Sequence, residues 1–522
     1  MKKNLPAIIL ILYALLLALG IFWGLPSEFV PEIDCEVPLG PLRFFGDIHS
    51  STVLTQYPAL TYLLPLPLYT VALGILKITG QLGALSGQWP FGFTDPVFGL
   101  SLLTVISRAL SICFGLGVLW IVYRFVKTIT KSTRIGLLFS LLIMGSGVMT
   151  FYGRAANNDM QFIFFWLAGF YLLYRYCFEQ QTMRLLVASA LLSAAAAATK
   201  DQGIAFCLAN GLILLFADKA PFGKRFRHSV VFGGITLGAY GLLAIAPQPW
   251  RFVEHVRLVL ASKEFLQQIQ TGHYNAGPAW IALSYTSFKY LSWICSPAGL
   301  LLGFVGLFGA IKSRGYALAL FFILPTICFY ALFVGATGAI HERYLINTAL
   351  SITLLGAFGF DALVKKSDSQ IKSVLMILLA GSVIGQYVFG AFSVTLAQNF
   401  NGKQKLAQEL STQLRSGSDI EWVGRLASLP NSAVYNKYHL AVADSLLDAP
   451  GSKRLKLIFK PLSQITTPYV LSDHPLHAPQ LELITAVKNT AYSEQFSTVY
   501  EAAHAASTFF VSHRYYLYKR IE

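Results

Sequence analysis

From Leu5 to Gly24 the chain runs through 20 residues without one charged side chain, and segments of this kind recur almost to residue 393. A helix needs roughly 20 apolar residues to cross about 30 Å of hydrocarbon, because only a helix or a closed barrel satisfies its own backbone there. The runs are continuous rather than alternating, which excludes a membrane β-barrel. The composition agrees: 55% of the 522 residues are hydrophobic and 12% are charged, with a mean hydropathy of +0.57. A water-soluble domain of this length does not carry that balance.

The net charge of +15 suggests nucleic acid until the basic residues are located. They sit in short loops between apolar runs, as the positive-inside rule requires, with no basic face to meet a polyanion. Five cysteines, Cys113, Cys177, Cys207, Cys295 and Cys328, lie in or beside apolar runs, leaving Cys35 alone in a polar loop. That spacing gives neither a disulfide framework nor a thiolate metal site.

Charge sets the topology. Lys2 and Lys3 hold the N-terminus inside, ahead of an uncleaved first span, Leu5 to Gly24. Counting Tyr57 to Thr79 as a crossing would put Arg124, Lys127, Lys131 and Arg134 outside. Placed along the outer interface, broken by Pro58, Pro65 and Pro67, it leaves that basic quartet inside. The further spans are then Leu102 to Phe125, Ile135 to Thr150, Met160 to Tyr176, Leu185 to Thr199, Ile204 to Ala217, Val230 to Ala246, Trp293 to Ile311, Tyr316 to Val334, Tyr344 to Leu363 and Val374 to Ser393. Inner loops hold 17 Lys and Arg against 4 acids; outer loops before residue 396 hold 10 against 11. The expected architecture is an all-α polytopic membrane protein of about eleven spans with outer juxtamembrane helices.

After residue 395 the composition changes. Residues 403 to 415 have an amphipathic helical pattern, followed by short β-type runs at Ala433 to Tyr435, Leu455 to Phe459, Tyr469 to Leu471 and Phe509 to Val511. The expected division is a membrane-embedded domain over 1–395 and a small α/β extracytoplasmic domain over 396–522. The latter carries no phosphate loop, HExxH or Cys/His metal spacing.

The ionisable residues of the outer face are the candidates for chemistry. The stretch Pro26 to Asp47 concentrates Glu28, Glu32, Asp34 and Glu36. The turn Gly153 to Met160 holds Arg154 and Asp159. Lys200 and Asp201 join two runs of about fifteen residues, which implies a turn recessed below the outer surface. His341-Glu342-Arg343-Tyr344 opens a later span. Each has an ordinary reading: solvated loop carboxylates, a helix cap at Asp159, snorkelling for Arg154 and Lys200, an interface marker at His341 and Arg343. Ionisable groups at membrane depth cost several kcal/mol unless paired or used, and here they converge on one face. Arg and Lys at helix ends suit a phosphate, and a carboxylate beside a hydroxyl suits general-base work.

In order and spacing these features resemble the membrane-embedded glycosyltransferases that use polyprenyl-phosphate sugars, the class holding protein O-mannosyltransferases and lipid A aminoarabinose transferases. The resemblance runs over roughly residues 5–365, through the acidic first loop, Gly46-Asp47, Tyr57-Pro58-Ala59-Leu60, Arg108, Tyr123-Arg124, Arg154 to Asp159, Thr199-Lys200 and Arg343-Tyr344-Leu345. It implies a catalytic base in the first outer loop, where this chain has Glu32-Ile33-Asp34-Cys35-Glu36 in place of the family's adjacent acidic pair; Asp34 is the first choice and Glu32 the second. It implies that Asp159 orients the acceptor or, with Asp34, helps hold a divalent cation, the one cofactor in view. It implies that Lys200, Arg154 and Arg343 face the donor phosphate, with Tyr57, His341 and Tyr344 lining the site or meeting the acceptor. The expected partners are a polyprenyl-phosphate sugar, a lipid, protein or glycan acceptor and membrane lipid, at the outer face of the cytoplasmic membrane. A transporter or flippase for a lipid-linked sugar and a non-catalytic envelope-assembly scaffold are the alternatives. Against the transporter, the charges favour one side of the bilayer where alternating access needs them on both.

Overall fold

The computed structural model describes residues 4–25, 40, 42, 57–86, 91–217, 220–247, 249–250, 252–253, 255–257, 279–314, 316–335, 340–399, 402–415, 418–423, 439–441, 467–472, 476–487 and 515–521. Glu32 and Asp34, with the rest of the acidic first loop, lie outside them.

The apolar runs are helices, bounded where the sequence supplies caps. Asp95 accepts a hydrogen bond from the Phe98 amide at 3.0 Å and Pro96 follows as the first helical residue, opening a helix that continues to Thr130. Lys131 ends it in the left-handed conformation, and Ser132 caps the next helix, Thr133–Met144. Ser146 caps Gly147–Tyr152, and Asp368 caps Ser369–Gln386. The Tyr57 to Thr79 run is broken as its prolines require, into a Leu60–Leu63 turn and a Leu66–Ile78 helix.

Six of the described helices are long and apolar enough to cross a membrane: Pro96–Thr130, Phe222–Ile245, Leu283–Lys312, Tyr316–Val334, Glu342–Lys366 and Ser369–Leu396. This is the fold of a multi-pass membrane protein. The count of about eleven is not reached on length, because Leu5–Ala18, Thr133–Met144, Met183–Thr199 and Gln202–Phe216 are shorter apolar helices. The first helix ends at Ala18, in turns that occupy the rest of the apolar run to Gly24.

Packing follows composition. Phe125, Phe170, Tyr174, Phe321 and Phe322 interlock three helices, with the Phe170 and Phe321 rings stacked at 4.5 Å. The helix Ala279–Arg314 breaks at Ser296, whose φ of 65° precedes Pro297 and whose hydroxyl caps the second half through the Gly299 amide at 3.1 Å. That second half lies against Ile346–Lys366 by way of glycines. A Cβ at Gly306 would lie 1.8 Å from the Leu355 carbonyl oxygen, and one at Gly359 would lie 2.5 Å from the Gly306 nitrogen. Small residues of this kind let membrane helices approach backbone to backbone.

Beyond Asn399 a Gly402–Gln413 helix matches the amphipathic pattern, and five strands follow: β1 Asp419–Val423, β2 His439–Ala441, β3 Tyr469–Ser472, β4 Leu481–Val487 and β5 Tyr515–Arg520. They form one sheet in the order β2-β1-β3-β5-β4, parallel from β2 through β3 and antiparallel at β5 and β4. Ile420, Val470 and Leu517 are buried in it. The run at Tyr469 to Leu471 is β3. Ala433 to Tyr435, Leu455 to Phe459 and Phe509 to Val511 lie outside the described residues.

Candidate functional site

Three chain segments meet around Asp159. The first is the turn after Tyr152, which ends where Asp159 begins the helix Asp159–Phe178. The second is the junction at Lys200, whose extended backbone separates Met183–Thr199 from Gln202–Phe216. The third is the single 3-10 turn Glu342–Leu345, which leads into Ile346–Lys366. Lys200, Asp159 and Arg343 are all buried. Lys200 thus sits at a break between two short apolar helices with its side chain enclosed.

The carboxylate of Asp159 divides its two oxygens. Oδ1 pairs with the Lys200 ammonium. Oδ2 accepts a hydrogen bond from the Asn157 side-chain amide at 2.8 Å and lies 3.7 Å from the Arg343 guanidinium. Asn157 also takes over the capping that Asp159 offers by sequence, since its Oδ1 accepts from the Asp159 amide at 3.2 Å. Asp159 is thus released from the capping role, at the positive end of its own helix. It faces two cations, and the buried Glu342, the residue before Arg343, brings a second acidic group to the same place.

Neighbouring polar groups fix the geometry. Asn158 donates to Thr61 Oγ1 at 3.2 Å and to the Thr199 carbonyl at 3.0 Å, and the Thr61 hydroxyl donates to that same carbonyl. These bonds tie the Leu60–Leu63 turn to the segment that presents Lys200. Tyr57, part-buried, lies just before that turn. The Tyr344 ring forms a floor, with the Lys200 ammonium 5.4 Å and the Arg343 guanidinium 5.2 Å from its centroid, and the His341 ring at 5.8 Å. Asp159, Lys200, Arg343, His341 and Tyr344, drawn from sites up to 185 residues apart, therefore share one location.

Arg154, expected beside the donor phosphate, is placed differently. It is completely buried, donating through one nitrogen to the Leu16 carbonyl and through another to Thr395 Oγ1, each at 3.1 Å. Among the described residues the ion pairs of Asp159 run to Lys200 and Arg343. A Cβ at Gly20 would come within 2.4 Å of the Arg154 guanidinium carbon. Only four residues separate Arg154 from Asp159 in sequence, but the intervening turn points the guanidinium at the end of the first helix. Arg108 plays a parallel part: wholly buried, it donates to the carbonyls of Ile21 at 2.6 Å and Trp23 at 2.8 Å and lies over the Trp23 ring at 4.8 Å.

Two groups emerge that lie in the candidate stretches but carry no role assigned from sequence. Glu342 is completely buried between His341 and Arg343, its Oε1 accepting from the Tyr152 hydroxyl at 3.5 Å. Asp201, next to Lys200, lies 2.8 Å from the buried His255 Nε2. Glu342 stands between two recognised residues, and that adjacency is its one signal. His255 has none. Of the two acids expected to help hold a divalent cation, Asp34 lies outside the described residues. Among the described residues no three acidic, His or Cys side chains converge as ligands.

The fold and site define a multi-pass helical membrane protein with a buried cluster of acidic and basic side chains built from the ends of its helices. Residues 87–248 match the family described as dolichyl-phosphate-mannose-protein mannosyltransferase, and the chain resembles the membrane-embedded glycosyltransferases of that kind. The matched segment includes Asp159 and Lys200 and stops short of His341 to Tyr344. Among solved structures the chain is similar to ArnT from Cupriavidus metallidurans bound to undecaprenyl phosphate, at 12% identity and a TM-score of 0.48, covering 79% of this chain and 73% of that one. It is similar to the same protein in the apo state at 11% identity, TM-score 0.46, covering 81% and 83%. It is also similar to the Archaeoglobus fulgidus oligosaccharyltransferase tethered to an acceptor peptide, at 11% identity, TM-score 0.44, covering 81% and 62%. No curated protein matches the chain.

Proposed function

We propose that this protein is a glycosyltransferase that moves a sugar from a polyprenyl-phosphate donor to a lipid, protein or glycan acceptor. The observation that carries this reading is the Asp159 carboxylate held between Lys200 and Arg343 on the Tyr344 floor. Two buried cations that meet at one carboxylate can also face a phosphodiester such as a polyprenyl-phosphate sugar, whose anionic oxygens suit both Arg and Lys geometry. The family match over residues 87–248 supports the same chemistry.

In this mechanism the donor phosphate rests against Lys200 and Arg343 while the lipid tail lies between helices. A first-loop carboxylate, Asp34 with Glu32 second, takes the proton of an acceptor hydroxyl or amine as that atom attacks the anomeric carbon. Polyprenyl phosphate leaves with inversion, and its developing charge meets donors already in place, which costs no reorganisation at the moment of reaction. Asp159 holds the two cations in position and orients the acceptor. The N-terminus is cytoplasmic, the site and the C-terminal α/β domain face outward, and the membrane is the cytoplasmic one.

The test is release of polyprenyl phosphate from a polyprenyl-phosphate sugar by the purified protein in detergent. Release that is lost in Asp34→Asn and in Lys200→Ala supports the reading. Full release in Asp34→Asn removes that residue from the base role. Movement of the lipid across vesicles without release makes the protein a transporter instead.

A further inference from the structure

A serine or threonine inside a helix has a ready acceptor in the carbonyl four residues before it, and in a span, where water does not compete, it takes that bond. Thr104, Thr130, Thr199 and Thr353 each do so, at 2.8 or 2.9 Å. Thr348 and Ser351, in the same helix as Thr353, do not: their hydroxyls have no hydrogen-bond partner among the described residues. Nor does Asn347, whose amide nitrogen and oxygen are both without one. Asn347, Thr348 and Ser351 are 1%, 2% and 1% exposed, so bulk water does not serve them. A buried amide left unserved costs about 1–3 kcal/mol, and polar groups kept within a span at such a cost mark a function.

Their position says which function. The helix Ile346–Lys366 follows directly on the turn that presents Arg343 and Tyr344. Asn347 and Thr348 stand three and four residues beyond Tyr344, and Ser351 stands four and three beyond them, which lines all three along the Tyr344 side of the helix. The opposite side is occupied, with Cys295 Sγ donating to the Ala349 carbonyl at 3.3 Å and Gly359 meeting Gly306. The polar stripe is therefore not the seam of that helix pair. It starts from the ring shared by Lys200 and Arg343 and, at about 1.5 Å per residue, runs about 5–10 Å further into the bundle.

The chemistry of the stripe selects its ligand. An amide and two hydroxyls donate and accept hydrogen bonds and carry no charge. A lipid tail has no hydrogen bonds to offer them, and they cannot offset the charge of a second buried ion. Sugar hydroxyls, which also donate and accept, match them group for group. A sugar esterified to a phosphate at Lys200 and Arg343 holds its hydroxyls about one ring's length from that phosphate, which is the reach of the first turn of the stripe. We propose that Asn347, with Thr348 and Ser351, forms the subsite that binds the hydroxyls of the donor sugar and so determines which sugar is accepted. This rests on the glycosyl-transfer reading above and deepens it. A sugar that lacks the matching hydroxyl leaves the buried amide unserved, which is how such a site discriminates.

The experiment measures binding of decaprenyl-phosphate mannose, glucose, galactose and arabinose to the purified full-length protein in detergent. Decaprenyl methyl phosphate, a diester of the same charge without hydroxyls, is the reference, and decaprenol is the uncharged control. Wild type binds at least one of the four sugars more tightly than the methyl diester. Asn347→Leu lowers that preference by about tenfold and binds the methyl diester as wild type does. Its melting temperature without lipid stays at or above that of wild type, because an apolar group of similar size replaces an amide that no protein group serves. Thr348→Val combined with Ser351→Ala lowers the preference by about threefold and decides the matter alone should Asn347→Leu fail to fold. An unchanged sugar preference in these variants, an equal loss for sugar and methyl diester, or no preference in wild type overturns the proposal and leaves the transferase reading standing. Equal binding of the methyl diester and decaprenol by wild type overturns both.

Discussion

Two regions of this molecule bury arginine, and they use it in opposite ways. Around the end of the first helix, Arg108 and Arg154 are wholly enclosed and donate chiefly to backbone carbonyls, at Ile21, Trp23 and Leu16. Around Asp159, Arg343 and Lys200 face a side-chain carboxylate over an aromatic ring. The first region fastens the chain immediately before the acidic loop, where a fixed carbonyl is a permanent partner. The second region gathers its charge around a carboxylate that reaches it from another segment of the chain. Burial of a basic residue is thus no guide to its role until its partner is known.

The comparison breaks or sharpens by substitution, and the largest effect belongs to the carboxylate cluster. Lys200→Ala leaves Asp159 without its closest counter-charge, and transfer of sugar to acceptor falls by about 10²-fold or more, measured as polyprenyl phosphate released per folded molecule. Lys200→Arg restores the charge but not the reach and recovers only part of the rate.

Next is the buttress. Arg154→Leu leaves the Leu16 carbonyl and Thr395 hydroxyl short of a donor and destabilises the protein by about 3 kcal/mol, read as a lower melting temperature in detergent. The donor KM of the remaining folded protein stays near wild type. A raised KM with unchanged melting would move Arg154 into the second region and erase the contrast. Gly20→Ala perturbs the same place, pressing a methyl group into the Arg154 guanidinium, and costs about 1–3 kcal/mol by thermal unfolding.

Smaller effects follow. Tyr344→Leu removes the ring shared by Lys200 and Arg343 and weakens binding of the lipid phosphate by about 1 kcal/mol, whereas Tyr344→Phe keeps the ring and stays close to wild type. At the opposite extreme, Lys131→Ala deletes a solvent-exposed pair with Glu179 and shifts stability by less than about 0.5 kcal/mol. A larger loss there would show that exposed charge in this molecule is not as dispensable as the buried and exposed pairs together imply.

The degree to which the site is legible in sequence varies residue by residue. Asp159, Lys200 and Arg343 announce themselves because a charge beside a long apolar run needs a reason. Arg154 meets the same criterion and is misassigned by it, since sequence records that a guanidinium is present but not which carbonyl it reaches across the helix bundle. Glu342 is hidden by standing beside two more conspicuous residues, and the Asp201–His255 contact joins positions 54 residues apart with no pattern between them. Span lengths divide similarly. The apolar run from Leu5 to Gly24 is continuous, yet its helix stops at Ala18, where Arg154 and Arg108 take up carbonyls that a longer helix would have bonded to its own amides.

What the sequence determined alone is the class, with an expectation of its sidedness. Hydropathy and loop charge act residue by residue against lipid and water, so they can be summed along the chain without knowing which helices touch. Tertiary structure decided the partners: one carboxylate between two cations, a buried glutamate against a histidine, an arginine turned away from the site it adjoins. Those pairings depend on distances across a packed bundle, and the energy of a buried charge is set by the atom it faces rather than by its neighbours in the chain.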